Sequence, residues 1–599
     1  MKYSKSLLPY ALLIAACLLA NLTAIAPALA QQRDTTGTLL PDISPREVEI
    51  RGELQIAFPS LIRQPLIGFN PPPRVPELPE GRMPFIEDYK LASADLPNTP
   101  LGQPDPPSVS SLGDLQPLRG EFEASAGRYL SRIIRARLSA SINRNSALYS
   151  RIDYQGTEGY FLEDDSRFPD LRNPFDGLYA VLGYQSVGAR RGWGIELDGN
   201  VDSYTLFGTN ILENDSISSQ VVLPDRNGLA GNAEFWIRSQ GEAAVDAEFR
   251  LKYGGTRYQT DLFDNALNAL PRLDQKEKRL TSVFNLGVPF SIGDFLVRTE
   301  VSGAGLDDES VFDFSTYYLN VGSGFKVVFS PTFNIQLLGR YLGTSFIDGG
   351  QDEFRSYLSA DAQLNLYPAP GVSIFARNTP GLDRNTMWEV FRQNPYVSDM
   401  LQLQSSIRPI DAEAGFTLFK GNVQMSVKAG YIQSPNFLFF ESEADQPGIT
   451  GYNYRRGIFA YNYADVEILH ADGDISISFP SGIHAKFGVS VREAQLTDSE
   501  VNVPYYSPII SENLISYTFA EKRMMLQLLT TYHSSRNRNR FDNSKVDDYF
   551  DMDLSYSYKM HPGLGMIVRL ENIVGSRLEH WEHYREAPFT VSAGLRVFW

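Results

Sequence analysis

The chain has 599 residues, 43% of them apolar, and a slightly negative mean hydropathy, which excludes a bundle of membrane helices. Its 36 Phe and 31 Tyr exclude a disordered chain. A net charge of -17, from 54 basic and 71 acidic residues without basic blocks, excludes nucleic acid as a partner.

In chain order, Lys2 and Lys5 precede an apolar run from Leu7 to Ile25. Ala28-Leu29-Ala30 then forms a cleavage signal before Gln31. Residues 1–30 read as a secretory signal peptide. A retained anchor and a lipoprotein box at Ile14–Cys17 are the alternatives, but the apolar run continues past Cys17 and a better cleavage site follows. Cys17 is the only cysteine, so the mature chain is expected to have no disulfide, thiolate metal site or Cys nucleophile.

Residues 31–118 hold 16 of the 36 prolines, among them Pro71-Pro72-Pro73 and Pro106-Pro107. Proline supplies no backbone donor, so this stretch is not expected to form a regular sheet or helix. It reads as a proline-rich periplasmic arm or as a segment that fills a lumen. It contains a short strand-like run, Glu47-Val48-Glu49-Ile50-Arg51-Gly52, and an apolar patch from Phe58 to Phe69.

From 119 onward the pattern becomes period two. Ile134, Ala136, Leu138, Ala140 and Ile142 alternate with Arg135, Arg137, Ser139, Ser141 and Asn143. The same alternation recurs at Val245–Tyr253, Leu358–Leu366 and Met552–Tyr558. A soluble β-sandwich or propeller shows such alternation too. Strands of about ten residues, ionic polar rows and an export signal favour a membrane barrel instead.

Turn lengths support that choice. Short turns are expected at Asn143–Ser146, Gly188–Gly192, Ser239–Glu242, Pro289–Asp294, Ser330–Thr332, Pro368–Gly371, Phe419–Asn422, Pro480–Gly482, Ala520–Lys522 and His561–Gly563. Long polar connections lie between them at 157–177, 207–227, 255–278, 378–404, 433–459, 495–511 and 534–547. Short periplasmic turns opposite long outer loops are the mark of an outer-membrane barrel. Gly127–Leu130 must then be a tight outer turn, giving about 22 strands over 119–599 with both termini periplasmic.

No catalytic constellation stands out, and neither an enzyme nor a cofactor is expected. His484 and His533 fall on polar rows. His580-Trp581-Glu582-His583 lies in the last outer loop; two His and a Glu could hold a metal, but the spacing is non-specific and a solvated loop is the alternative. Asn436–Phe440 and the group Tyr452, Tyr454, Arg455 and Arg456 fall in one expected outer loop. Aromatics beside Arg make good contact surfaces for a ligand. For Phe437–Phe440 the rival is an aromatic belt at the lipid interface.

The final strand alternates throughout. Phe589, Val591, Ala593, Leu595, Val597 and Trp599 form an apolar row, and the chain stops on an aromatic.

These features resemble the barrel of TonB-dependent outer-membrane receptors. The resemblance rests on Val503–Pro508 followed by Ile515–Phe519, Ser534-Ser535-Arg536, Asp551–Tyr558, Val568–Ile573 and Gly594–Trp599, in that order, over roughly 360–599. It implies uptake or capture of a small solute across the outer membrane. Residues Phe589, Val591, Leu595, Val597 and Trp599 become a signal to the barrel assembly machinery. Glu47, Val48, Glu49 and Ile50 become similar to the short strand that pairs with TonB. The resemblance departs at the N-terminus, where no plug motif is found in the residues before the barrel. Lipid, the assembly machinery, a small solute, and TonB or a separate plug or surface protein are the partners so implied. The alternative is a non-transport barrel that binds or helps assemble other envelope proteins.

Overall fold

The structure, a computed structural model, describes residues 118–599 apart from 161–171, 210–222, 242, 262–270, 309–310, 349–350, 399–402, 444–456, 500 and 542–543. The signal peptide and all of the arm except Leu118, which opens β1, lie outside the described residues, including Glu47–Ile50 and the Phe58–Phe69 patch, as do Tyr452, Tyr454, Arg455 and Arg456.

The described chain forms one 22-stranded antiparallel sheet closed on itself. The strands are β1 Leu118–Gly127, β2 Arg132–Asn143, β3 Ser146–Thr157, β4 Phe175–Val187, β5 Arg191–Thr205 and β6 Asp225–Ser239. They continue with β7 Asp246–Thr260, β8 Leu273–Phe290, β9 Gly293–Asp308, β10 Val311–Ser330, β11 Phe333–Asp348 and β12 Gln351–Ala369. Next come β13 Val372–Asn378, β14 Ile410–Lys420, β15 Val423–Ser442, β16 Phe459–Ser478 and β17 Ile483–Leu496. The last five are β18 Ile509–Phe519, β19 Met524–His533, β20 Tyr549–His561, β21 Leu564–Glu571 and β22 Thr590–Phe598.

All ten expected short turns fall between strands on one side, and the tight turn Arg128–Leu130 joins β1 to β2 on the other. Tyr129 and Leu130 take positive φ (59° and 52°), so this hairpin reverses without a longer loop. β22 pairs with β1 from Glu121↔Phe598 to Gly127↔Ser592, which closes the ring and removes the sheet edges there.

Cross-strand ion pairs identify the inner face. Asp361 of β12 receives Arg340 of β11 at 2.7 Å and lies 3.5 Å from Arg298 of β9. Lys428 of β15 reaches Glu413 of β14 at 3.2 Å. The opposite rows, including Leu251, Tyr253, Leu337, Leu364, Leu469 and Leu595, stand exposed. This inverts a soluble protein and suits lipid outside with a wet lumen inside.

Two expected connections are shorter than the sequence suggests. The 255–278 connection is largely strand: Gly255 pairs with Lys278, and an Arg257–Asp274 bridge of 2.6 Å decorates the ladder. The 433–459 connection is shortened at its start, because β15 runs on to Ser442 before β16 begins at Phe459.

Candidate functional site at the outer mouth of the barrel

The decisive segment is the connection between β13 and β14. β13 has seven residues, too few to cross an apolar band that takes roughly ten. The hairpin does continue beyond it, as Gly381–Asp383 paired with Ser406–Arg408. Pro380 and Pro409 stand opposite each other at the break. Each removes a ladder donor, so the regular pairing with the wall stops there. Arg408 bridges the kink, at 3.0 Å from Asp383 and 2.8 Å from Asp411.

Beyond the kink the chain turns into the lumen. Arg384 donates to Glu300 of β9 at 2.6 Å and to Thr281 of β8 at 3.1 Å. Asn385 ties the two arms of the segment through Gln404 O and Ser406 Oγ. A short helix, α1 Met387–Gln393, follows. Thr386 caps it: its Oγ1 accepts from Glu389 N while Glu389 returns to Thr386 N. Arg279 of β8 donates to the same Thr386 Oγ1 at 3.2 Å, and Glu277 accepts from Met387 N at 3.0 Å. The wall at β8, five strands away from β13, therefore holds the first turn of the helix.

Met387, Val390 and Phe391 recur at three- and four-residue spacing, so they share one face of α1, and all three are buried. They join an aromatic cluster contributed by several loops and strands. Tyr258 of β7 packs on Phe391 with ring centroids 4.2 Å apart, and the buried guanidinium of Arg226 lies over the Phe391 ring at 4.7 Å. Arg226 also donates to the carbonyls of Pro395 and Val397, at 2.8 and 2.9 Å. Tyr204 donates to Pro395 O at 2.9 Å. Tyr396 stacks on Tyr584 of the last loop, which meets Phe207 of the β5–β6 loop at 4.9 Å. Trp581 completes the cluster against Phe459, Tyr505 and Phe440. Burial pushes the Tyr584 phenol well above its usual range, so it remains a neutral hydroxyl.

Asn436–Phe440 belongs to this mouth and not to a lipid belt. A bulge between Ser434 and Phe437, with Asn436 at φ 59°, resets the strand. Leu438 and Phe440 then enter the aromatic cluster, while Phe439 packs with Val466, Ile468, Ala494, Leu496 and Val503. Ser434, Asn436 and Leu438 also bind the returning arm, at Ile407 O, Ser405 O and Ser406 Oγ.

Two of the histidines meet, His533 and His580, with ring centroids 5.9 Å apart. His484 contacts Ser478 at 2.9 Å. His533 stacks on Tyr549, whose hydroxyl meets His580 Nδ1 at 3.1 Å. His583 lies 3.8 Å from Glu582. Among the described residues no group of three or more His, Cys, Asp or Glu is placed to hold a metal.

The C-terminal row lies where its alternation places it. Val591, Leu595, Val597 and Trp599 are exposed on the outer face. Phe589 O, just before β22, accepts from Arg128 at 3.1 Å. Trp599 and Gly120 exchange both backbone hydrogen bonds, at 2.9 and 3.1 Å. A Cβ on Gly120 would stand 2.3 Å from the Trp599 ring, so glycine there lets the terminal indole lie flat across β1.

The helix and its aromatic partners were missed by sequence reasoning, which read 378–404 only as a long loop. The signal was present: Thr386-x-x-Glu389 before Met387, Val390 and Phe391 is a capping box opening an apolar helical face.

No protein-family model matches the chain, and no curated protein matches it in sequence. Solved structures do match. A mutant of the ferric enterobactin receptor of Pseudomonas aeruginosa aligns with TM-score 0.60 at 11% identity, over 80% of each chain. The FrpB iron transporter of Neisseria meningitidis aligns with TM-score 0.63 at 9% identity, over 81% of this chain and 82% of its own. The siderophore receptor PirA of Acinetobacter baumannii aligns with TM-score 0.59 at 11% identity, over 81% of each. At such identities the likeness is one of fold, and the fold this chain shares is the 22-stranded outer-membrane barrel of TonB-dependent receptors.

Proposed function

We propose that this protein resides in the outer membrane and takes up a small solute through its barrel, with the inward-folded segment 379–409 as the closure at the outer mouth. The observation that carries the reading is the reach of that segment from β13–β14 to β6, β8 and β9 through Arg226, Arg279 and Arg384. A barrel of about 22 strands encloses a lumen wide enough to need filling, since barrels of 16–18 strands already leave an aqueous channel. The contacts that hold the segment are hydrogen bonds and ion pairs beside an aromatic surface, and a polar or aromatic solute can compete for them. The structures named above are a ferric enterobactin receptor, an iron transporter and a siderophore receptor, which favours transport over catalysis. In the same reading residues 1–30 direct export, residues 31–118 form the periplasmic arm or enter the lumen, and Glu47–Ile50 pairs with TonB.

The test replaces residues 385–404 with a short Gly-Ser turn between Arg384 and Ser405. Those ends are adjacent, because Asp383 pairs with Ser406. The expected result is a large conductance in planar bilayers and new sensitivity to bulky antibiotics. Unchanged conductance from a correctly assembled barrel would assign closure elsewhere. Loss of growth on one scarce nutrient after deletion of the whole protein would identify the solute, and unimpaired growth across such a panel would count against uptake.

A further inference from the structure

The inward bend of the β13–β14 hairpin leaves a second consequence in the wall. β12 pairs with β11 along its whole length, from Asp348↔Gln351 to Phe333↔Leu366. On its other side it pairs with β13 only from Ala369↔Val372 up to Ala362↔Asn378. Above Ala362, no described residue pairs with that side of β12.

The polarity of this edge can be read from one bond. Tyr367 donates its N–H to Thr332 O, on the β11 side. Backbone groups alternate sides along a strand, so the odd residues of β12 face β11 and the even residues face the gap. Asn378 Nδ2 donates to Ala360 O across the gap at 2.6 Å, which agrees. Phe354, Ser356 and Leu358 therefore turn their N–H and C=O groups into the gap, along with the N–H of Ala360. Such groups repeat about every 7 Å.

Leu358 marks the same place from the side-chain level. It is 84% exposed, whereas no other large apolar residue among those described exceeds 63%. The excess arises because the neighbour that would flank it has left the wall. Counting roughly ten tilted residues up from Tyr367, at the lower rim, brings the outer interface to about Leu358. The open edge thus begins at the hydrocarbon boundary, where unpaired backbone groups are not left facing lipid.

We propose that the outer half of β12, Phe354–Ala360, is a docking edge for an extended strand of a second, surface-exposed envelope protein, which adds to the barrel wall by backbone pairing. A strand supplies alternating donors and acceptors at the matching spacing, which lipid headgroups do not. Its outer row must be apolar to lie beside Phe354 and Leu358, and its inner row polar to lie beside Arg355, Tyr357 and Ser359.

The experiment places a photoreactive benzoylphenylalanine at Phe354, Leu358 or, as control, Leu337, and irradiates intact outer membranes of the native host. Leu337 is exposed on the same outer face but sits between two fully paired strands. The expected result is one defined polypeptide adduct at 354 and 358 and none at 337. Ser356→Pro removes a donor that faces only the gap, so the barrel should assemble and retain its heat-modifiable mobility while the adduct at 358 is lost. Ser356→Ala should keep it. If Ser356→Pro fails to assemble, Ala360→Pro serves the same purpose, because its N–H also faces the gap. Adducts with lipopolysaccharide or phospholipid alone, or a polypeptide adduct indifferent to proline, would overturn the proposal.

Discussion

Arg596, three residues from the C-terminus, donates to Glu123 of the first strand at 2.8 Å, and that carboxylate is 1% exposed. Arg569 of β21 binds its other oxygen at 2.5 Å, and Arg135 of β2 lies 3.9 Å away. One carboxylate therefore ties four consecutive strands across the seam that the chain must close last, β21, β22, β1 and β2. The seam strands are short, at eight, nine, ten and twelve residues, so this cluster carries much of their cohesion.

Glu123→Leu takes the shared carboxylate from Arg569, Arg135 and Arg596, of which Arg596 keeps Glu121 at 3.7 Å. It is expected to cost about 3–5 kcal/mol, the penalty for removing one partner of a buried pair. Glu123→Gln still accepts hydrogen bonds and should cost less. The temperature at which the folded band converts to the unfolded one on heat-modifiability gels measures both.

The barrel was legible because alternation is a local property: Leu358–Leu366 against Ser359–Asn365 needs no partner to be seen. The short turns were legible for the same reason. The mouth was not, because its contacts join residues far apart in the chain. Arg226 finds Val397, and Tyr396 finds Tyr584, across 171 and 188 positions. The apolar run Phe437–Phe440 was read as an outer-loop contact or a lipid belt because the Asn436 bulge, which redirects it, depends on pairing with β16. Only α1 was both local and overlooked.

The outer rows make a depth prediction. Leu364 is exposed on the lipid face, and Ser555 Oγ faces inward to Gln527 at 3.4 Å. Leu364→Arg should cost about 2–4 kcal/mol if it lies near the midplane. Ser555→Arg should be tolerated. Unfolding of the purified barrel in lipid vesicles by denaturant compares them, and equal midpoints would reverse the assignment of faces.

Deletion of Val597–Trp599 removes the short-turn end of the apolar row together with the Trp599–Gly120 exchange. Such protein is expected to remain in the periplasm and be degraded. Normal amounts of heat-modifiable barrel in outer-membrane fractions would show that the terminal aromatic is dispensable. Gly120→Val separates the two roles. It keeps the C-terminal row intact but forces the indole off β1, so it should insert yet melt earlier.

The closure makes the finest prediction. Thr386→Ala deletes the helix cap, an effect of about 1 kcal/mol, and also the acceptor of Arg279. Arg384→Ala removes the bond to Glu300, whose partners are both roughly a third exposed, so that pair is worth on the order of 1 kcal/mol or less. Neither change should open the barrel permanently, because the aromatic cluster still holds Phe391 and Tyr396. Each should raise the open fraction by about fivefold, the factor that 1 kcal/mol represents. In single-channel records this appears as brief openings absent from the wild type, at the conductance reached when residues 385–404 are replaced. Glu300→Ala should act in the same direction as Arg384→Ala, and the double variant should fall short of the sum of the two singles, because both changes break the Arg384–Glu300 contact. Additive opening in the double variant would mean that Arg384 and Glu300 act on the closure independently, and the bond between them would then not be its latch.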